Sequence, residues 1–265
     1  MVMKVTLIGA GNLATNLGKA LFKAGHDIVE VYSRTMSSAE TLAHQLNAKA
    51  TADLQKVNTH SDVYIIAVKD SVLDEVIEGL QRSEEQGARS EKTVYLHTAG
   101  SISMDVFKGR FNHYGVLYPM QTFSKDREVA FKEIPIFVEG NDDDSLSLSK
   151  QLAESVSEHV QECTSQQRKQ LHLAAVFACN FVNHCYALSA ELLERQGLSF
   201  DAMLPLIDET ARKVHQIPPR QAQTGPALRY DENVIGMQSA MLDDLPLVKE
   251  IYEKMSRSIH AMHNS

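Results

Sequence analysis

The sequence predicts an α/β protein in which an N-terminal Rossmann dinucleotide-binding domain is followed by an all-α C-terminal domain. Three observations lead to this prediction. Short apolar segments alternate with helical patterns in the first half of the chain, a glycine-rich turn follows the first apolar segment, and a long helical pattern opens the second half. We place the boundary after residue 162, which gives a Rossmann domain at 1–162 and a helical domain at 163–265.

The first half carries the strands. Residues 5–8 are a short apolar, β-rich segment that stops at a glycine, as a buried parallel strand does. Apolar residues then recur at helical spacing until Gly25 ends the helix. The same patterns predict strands at 28–32, 63–68, 93–97, 114–117 and 134–138, helices at 37–46 and 72–80, and a solvated loop at 83–92.

The second half is predicted to be helical. Residues 165–196 contain neither proline nor glycine, and Gly197 is a plausible stop. The centre of this helix, 171–190, is apolar on more than one face, which a lone surface helix does not tolerate. We therefore expect a homodimer that buries it. Further helices are expected at 200–216, 233–241 and 245–262.

Composition and charge narrow the class of protein. Of 265 residues, 43% are apolar and 23% are charged, which is ordinary globular usage. The 26 basic and 34 acidic residues give a net charge of −8, which argues against nucleic-acid binding. No apolar segment suggests a membrane span, and no spacing of histidine or cysteine suggests a metal site. With three cysteines and no CxxC pair, we expect a reduced, cytoplasmic protein.

A GxGxxA motif begins at Gly9, directly after the first predicted strand. In a Rossmann fold, the first glycine allows a tight turn, and Gly11 lets the backbone approach a pyrophosphate. Amides at the start of the following helix, at Asn12 and Leu13, then face the anion. We predict that these four residues bind a dinucleotide; the alternative is a glycine-rich turn without a ligand.

The end of the second strand decides between NAD and NADP. NAD sites place an acidic residue about 20 residues beyond the glycine motif. Here that region holds Ser33, Arg34 and Thr35, and the nearest acid, Glu30, lies three residues upstream. Because a guanidinium group binds phosphate through two parallel hydrogen bonds, these three residues favour the 2′-phosphate of NADP. The alternative is an ordinary solvated arginine.

Several segments resemble known families. Residues 3–18, the turn 33–35 and residues 67–70 resemble the NADP-binding domain of pyrroline-5-carboxylate reductases and F420-dependent NADP reductases, within the 6-phosphogluconate dehydrogenase-like superfamily. Residues 97–101, 115–123 and 224–227 resemble the NADP oxidoreductases that join a Rossmann-like domain to a DUF2520 domain. This resemblance covers essentially the whole chain.

The resemblance carries implications for the fold and the cofactor. It implies a helical second domain that dimerises and an active site between the domains. It also implies that Ala67, Val68, Lys69 and Gly100 contact NADP.

Four residues are candidates for catalysis. His97 ends a strand at the carboxyl edge of the sheet, where ligands bind in such folds, and Thr98 follows it in a turn. The resemblance places this segment beside the nicotinamide. His172 and Asn180 occur at helical spacing within an apolar helix, where polar groups need partners. The alternatives are a helix cap for the turn and satisfied core or interface hydrogen bonds for the helix.

The predicted reaction class follows from a difference between this sequence and the β-hydroxyacid dehydrogenases. The β-hydroxyacid dehydrogenases of this superfamily place a catalytic lysine four residues before an asparagine, but here Lys169 is followed at that distance by Leu173. We therefore predict an NADP-dependent oxidoreductase acting on a small imine or carbonyl compound, a reaction that needs one proton besides the hydride. The alternatives are a non-catalytic NADP-binding sensor and an F420-dependent reductase.

Overall fold

The computed structural model describes residues 2–84, 90–127 and 129–264. The chain divides into two compact units, residues 1–179 and residues 180–265. The division after residue 162 that the sequence suggested follows the last strand, whereas the first unit also includes the beginning of the next helix.

The first unit is built on one sheet. The described residues form eight strands: β1 Lys4–Ile8, β2 Asp27–Tyr32, β3 Lys49–Thr51, β4 Val63–Ile66, β5 Val94–His97, β6 His113–Pro119, β7 Ile136–Gly140 and β8 Val160–Glu162. Their order across the sheet is β3-β2-β1-β4-β5-β6-β7-β8. The β6–β7 pair is antiparallel and the other neighbouring pairs are parallel. The predicted Rossmann α/β class is confirmed.

Helices cover both faces of this sheet. Successive side chains of its strands point to opposite faces and so pack into two separate cores. The helices of the first unit are α1 Asn12–Lys23, α2 Met36–Leu46, α3 Leu73–Glu84, α4 Asp143–Glu154 and α5 Ser165–Ala175. In β4, Val63 and Ile65 pack into the core that contains residues of α1, α2 and α4. Tyr64 and Ile66 point the other way, into the core that contains α3. This period of two is what a strand buried on both faces requires.

Some elements differ from the prediction. Strands β3 and β8 are three residues each at the two edges of the sheet, too short to leave a hydrophobic pattern. The predicted loop at 83–92 begins later, since α3 continues to Glu84 with Ser83 buried. Residues 85–89 of that loop lie outside the described residues.

The long helix is not uniform. Residues Val176–Phe181 form a π-helical segment between α5 and α6, which spans Val182–Glu194. A π-helix bonds residue i to i+5, so the α-helical spacing that placed His172 and Asn180 on one face does not hold through this segment. That part of the sequence argument is therefore corrected.

The same helix also revises the expectation about membrane spans. By length and composition alone, Ser165–Glu194 meets the requirements of a span, with a mean hydropathy of 1.3 over an 18-residue window that is not buried in the single chain. Core helices of soluble proteins meet the same requirements.

The described residues of the second unit form helices and no strand. After α6 come α7 Leu204–Val214, α8 Pro219–Ala222, α9 Pro226–Arg229, α10 Glu232–Ala240 and α11 Pro246–Asn264. Helix α11 packs against α10 and against the end of α9. The Tyr230 and His260 rings lie 4.7 Å apart, and the Ser239 hydroxyl donates to Glu253 over 2.6 Å. Residues 200–203, predicted as α-helix, form a 3₁₀ turn instead.

Candidate functional site

The candidate site lies at the carboxyl edge of the parallel strands. The turns that follow β2, β1, β4, β5 and β6 stand side by side there, because these strands are consecutive in the sheet. Strand order reverses around β1, since β2 lies on one side of it and β4 on the other. Open α/β sheets bind ligands at such a switch point.

The turn after β1 has the form of a pyrophosphate cradle. Gly9 has a φ of +124°, and a Cβ there would lie 2.3 Å from the carbonyl oxygen of Ala67. A Cβ on Gly11, by contrast, would meet no described atom within 4 Å. Gly11 is the N-cap of α1, and no described side chain caps that helix. The amides of Asn12 and Leu13 are therefore available to an anion in the open space beside Gly11.

The turn after β2 carries the residues expected to distinguish NADP from NAD. Arg34 and Thr35 are exposed, and Ser33 is half-buried. Arg34 forms no ion pair with any residue that the structure describes. Glu30 is buried, and its carboxylate accepts a hydrogen bond from the Asn58 amide over 2.7 Å. The acid nearest to the turn in sequence therefore holds a neighbouring loop.

The turn after β4 is hydrogen-bonded to β1, and the turn after β5 is hydrogen-bonded to β4. The Ala67 amide donates to Ile8 over 2.8 Å, and the Thr98 amide donates to Ile66 over 3.2 Å. Beyond them, the Ser101 hydroxyl donates to the Asp70 carboxylate. Along the β4 turn, burial decreases from Ala67 through the half-buried Val68 to the exposed Lys69.

His97 is sealed inside the protein. It is 0% exposed, and its Nδ1 accepts a hydrogen bond from the Ala99 amide over 3.1 Å. Its Nε2 has no hydrogen-bond partner among the described residues. Burial and, second, the positive charge of Arg168 lower the His97 pKa to about 3. An imidazole that stays neutral at physiological pH and cannot reach solvent favours a role in shaping the turn over a role as proton donor.

His172 comes against this turn from α5. A Cβ on Gly100 would lie 2.6 Å from His172 Nδ1, so the glycine is what allows the ring to approach. The same Nδ1 lies 3.1 Å from the hydroxyl of Tyr118, at the end of β6. The two rings meet edge to face, with centroids 6.2 Å apart.

Tyr118 holds a proton in this pair. The side chain is 9% exposed, and burial is the main reason that its pKa is raised. Arg168 opposes that shift, while the negative charge of Asp70 adds to it. The phenol therefore stays protonated at neutral pH and has a proton to donate. The sequence analysis predicted a catalytic role for His172, whereas Tyr118 was not among its four catalytic candidates.

A buried ionic network positions the pair. Arg168 is 0% exposed, pairs with Glu139 of β7 and donates to the carbonyl oxygens of Ala99 and Ile102. Glu139 also accepts from the Ser165 amide over 2.7 Å. The network ties the first turn of α5 to the turn after β5, so His172, one turn further along, is held against Gly100. Sequence reasoning missed both ionic residues, because the sequence does not show that an arginine in the polar first turn of a helix is buried.

Asn180 differs from these residues in its surroundings. It is exposed, belongs to the second unit and sits in the π-helical segment. In the part of the chain that the structure describes, no group of three histidine, cysteine or acidic side chains could hold a metal ion.

Two families match this chain. Residues 4–89 match the family described as "NADP oxidoreductase coenzyme F420-dependent", and residues 134–259 match "Domain of unknown function (DUF2520)". A glycerol-3-phosphate dehydrogenase [NAD(P)+] of Staphylococcus epidermidis is 30% identical over 118 residues, which are 40% of this chain and 34% of that protein. The chain thus spans about a third of the length of the curated relatives it matches.

Solved structures extend the likeness to the whole chain. A Bacteroides fragilis protein described as a "putative NADP oxidoreductase" is 54% identical, covers 98% of both chains and has a TM-score of 0.92. A pyrroline-5-carboxylate reductase from Coxiella burnetii has a TM-score of 0.60 at 18% identity, over 100% of this chain and 98% of its own, which shows the fold alone. The chain therefore belongs to the NADP oxidoreductase family that joins a Rossmann domain to a DUF2520 domain.

Proposed function

We propose that the protein transfers a hydride from NADPH to a small imine or carbonyl compound, with Tyr118 supplying the proton and His172 assisting it. The observation that carries this proposal is the hydroxyl–imidazole contact of 3.1 Å, at the sheet edge that also holds the dinucleotide turn. Reduction of C=N or C=O needs one proton at the nitrogen or oxygen, which a positioned phenol can deliver.

The residues proposed to bind NADP lie in turns after different strands, and each turn would bind a different part of the cofactor. Gly9, Gly11, Asn12 and Leu13 would bind the pyrophosphate through backbone amides. The adenosine 2′-phosphate would lie at the turn after β2, held by Ser33, Arg34 and Thr35. The nicotinamide half would lie along the turns after β4 and β5, at Ala67, Val68, Lys69 and Gly100. When bound, NADPH supplies the hydride.

The remaining chemistry belongs to the side chains. The raised pKa of Tyr118 keeps a proton on its Oη until the substrate takes it. His172 Nδ1 lies against that oxygen, so the imidazole can return a proton from Nδ1 after accepting one at Nε2. Thr98, in the turn after β5, is proposed to orient the substrate, and the catalytic role expected of Asn180 stays a prediction. His97 is proposed to hold the turn, since its pKa of about 3 leaves no proton to give near neutral pH.

The test is NADPH oxidation with a panel of small cyclic imines, ketones and aldehydes. Tyr118→Phe should lower the turnover of any active compound by about 100-fold or more, the usual contribution of general acid catalysis, while NADPH affinity stays unchanged. His172→Ala should lower it as well, with little loss of stability, because the ring is only half-buried. Tyr114→Phe, on the same strand but inside the core with Phe107, is the matched control.

Two outcomes would contradict the proposal. Tight NADPH binding without oxidation by any compound on the panel would favour a non-catalytic sensor. Oxidation only with oxidised coenzyme F420 would favour a deazaflavin-dependent reductase, in line with the description of the family that matches residues 4–89.

We also propose a soluble, cytoplasmic homodimer. Large apolar side chains are exposed along the second unit of the single chain, and burying such a surface against a second copy would remove a liability. They are Phe181, Leu192, Leu198, Leu204, Leu206, Val214, Ile217, Met237, Met241, Leu247, Met255 and Met262. Light scattering without detergent should give about twice 29.5 kDa. A clean monomer, or recovery only with membranes, would contradict the proposal.

A further inference from the structure

We infer that the Asp70 carboxylate binds the hydroxyl groups of the nicotinamide ribose of NADP and that Ser101 holds the carboxylate in place. The inference rests on the proposed binding of the dinucleotide across the sheet edge. It assigns a contact that neither the glycine motif nor the turn after β2 provides.

The first step is the order of the strands. Neighbouring strands lie about 4.8 Å apart, and β4 stands directly between β1 and β5. In a dinucleotide, the ribose is the next group after the pyrophosphate and the nicotinamide follows the ribose. With the pyrophosphate at the turn after β1, the ribose therefore lies one strand away, above the turn after β4. Asp70 stands at the end of that turn, where the 3₁₀ segment Asp70–Val72 begins.

The second step is the hydrogen-bonding capacity of the carboxylate. Asp70 is exposed, and among the described residues its side chain is hydrogen-bonded to Ser101 alone. A carboxylate has about four lone-pair positions, so most of its acceptor capacity is available to a pair of ribose hydroxyls. Ser101 restricts the side chain at the same time, which lowers the entropy lost when a ligand binds.

The third step places the carboxylate on the reactive side of the cofactor. The charge of Asp70 is felt at the hydroxyl of Tyr118, the proposed proton donor. NAD enzymes use an acidic residue after β2 to bind the adenosine ribose. Here that position carries Arg34, while the acid lies two strands away, after β4. The chain thus has a positive charge, Arg34, for the phosphate on the adenosine ribose. It has a negative charge, Asp70, for the hydroxyl groups of the nicotinamide ribose.

The experiment compares two ligands by calorimetric titration: NADPH, and 2′,5′-ADP, which lacks the nicotinamide riboside. Asp70→Ala should weaken NADPH binding by about 10- to 100-fold, the range expected for hydrogen bonds to a charged group, and leave 2′,5′-ADP binding unchanged. Ser101→Ala should have a smaller effect in the same direction. Glu78→Gln removes one exposed negative charge further along α3 and should change neither affinity.

Each other result overturns the assignment. Equal weakening of both ligands by Asp70→Ala, with an unchanged melting temperature, would mean that the carboxylate acts on the whole edge and not on the nicotinamide ribose. Unchanged NADPH affinity would remove Asp70 from the site. If the unaltered protein bound neither ligand, the proposed function would fail first, so the two failures are distinguishable.

Discussion

The turn after β1 and the Tyr118–His172 pair lie at the same edge of one sheet, yet they are built in opposite ways. The turn is backbone, open on one side and contained within a few consecutive residues. The pair is held by side chains that are 54 residues apart in sequence, and the network behind it is buried. The difference suggests that cofactor binding can be altered without unfolding the protein, whereas the side chains that support the Tyr118–His172 pair cannot be altered in that way.

The largest expected effect is on the buried support. Arg168→Met leaves Glu139 without its ionic partner and removes a donor from two carbonyl oxygens, so we expect a loss of about 3–5 kcal/mol in the free energy of unfolding. Urea denaturation measures this loss. Arg82→Met, which breaks an exposed pair on α3, is the control and should change stability by less than about 1 kcal/mol. Similar values for both variants would contradict the contrast.

The loss of stability at low pH tests the burial of His97. Burial lowers the pKa of His97 to about 3 and also lowers the pKa of His26. The pKa of histidine in the unfolded chain is about 6.5, so below that pH the unfolded chain binds more protons than the folded one. The free energy of unfolding is therefore highest above about pH 6.5 and falls as the pH drops toward 3. The His97 contribution is about 1.4 kcal/mol per pH unit.

Urea midpoints between pH 7 and pH 4 measure this slope. His97→Gln should flatten it, whereas His44→Gln, at an exposed histidine, should leave it unchanged. A slope that persists in His97→Gln would show that other groups carry the acid sensitivity.

Within the cofactor turn, two glycines should respond differently. Gly9→Ala places a Cβ 2.3 Å from a carbonyl oxygen at a φ of +124°, so we expect lower stability and a loss of NADPH binding of about 100-fold or more. Gly11→Ala meets no described atom and has a φ of −79°, so stability should be unchanged while the methyl group blocks the pyrophosphate. Thermal melting and NADPH titration of both variants separate the two effects. Unchanged NADPH affinity in Gly11→Ala would contradict the cradle.

The smallest effect is on cofactor preference. NADPH should bind about tenfold tighter than NADH, or 1.4 kcal/mol, and Arg34→Ala should remove most of that difference without changing the melting temperature. Lys69→Ala, at an exposed lysine of the turn after β4, should weaken the binding of both cofactors alike. Equal affinity of the unaltered protein for NADPH and NADH would remove the role assigned to the turn after β2.

The sequence by itself determined the features that depend only on residues close together in the chain, namely the fold class and the glycine-rich turn. Alternating strand and helix patterns predicted the Rossmann class, and the glycine spacing located the turn that Gly9 and Gly11 form. Both signals are local, since a turn conformation and an amphipathic face are set within a few consecutive residues. The missing acid after β2 was equally readable, and the structure adds the reason that Glu30 does not replace it.

Only the tertiary structure decided which distant side chains meet. The approach of His172 to Gly100 depends on residues 72 positions apart, and the Arg168 contact with Ala99 on residues 69 apart. The π-helical segment also escaped prediction, because a changed helical pitch leaves no mark in an apolar sequence. Such contacts follow from how strands are ordered and helices packed, and a pattern read along the chain carries no information about either.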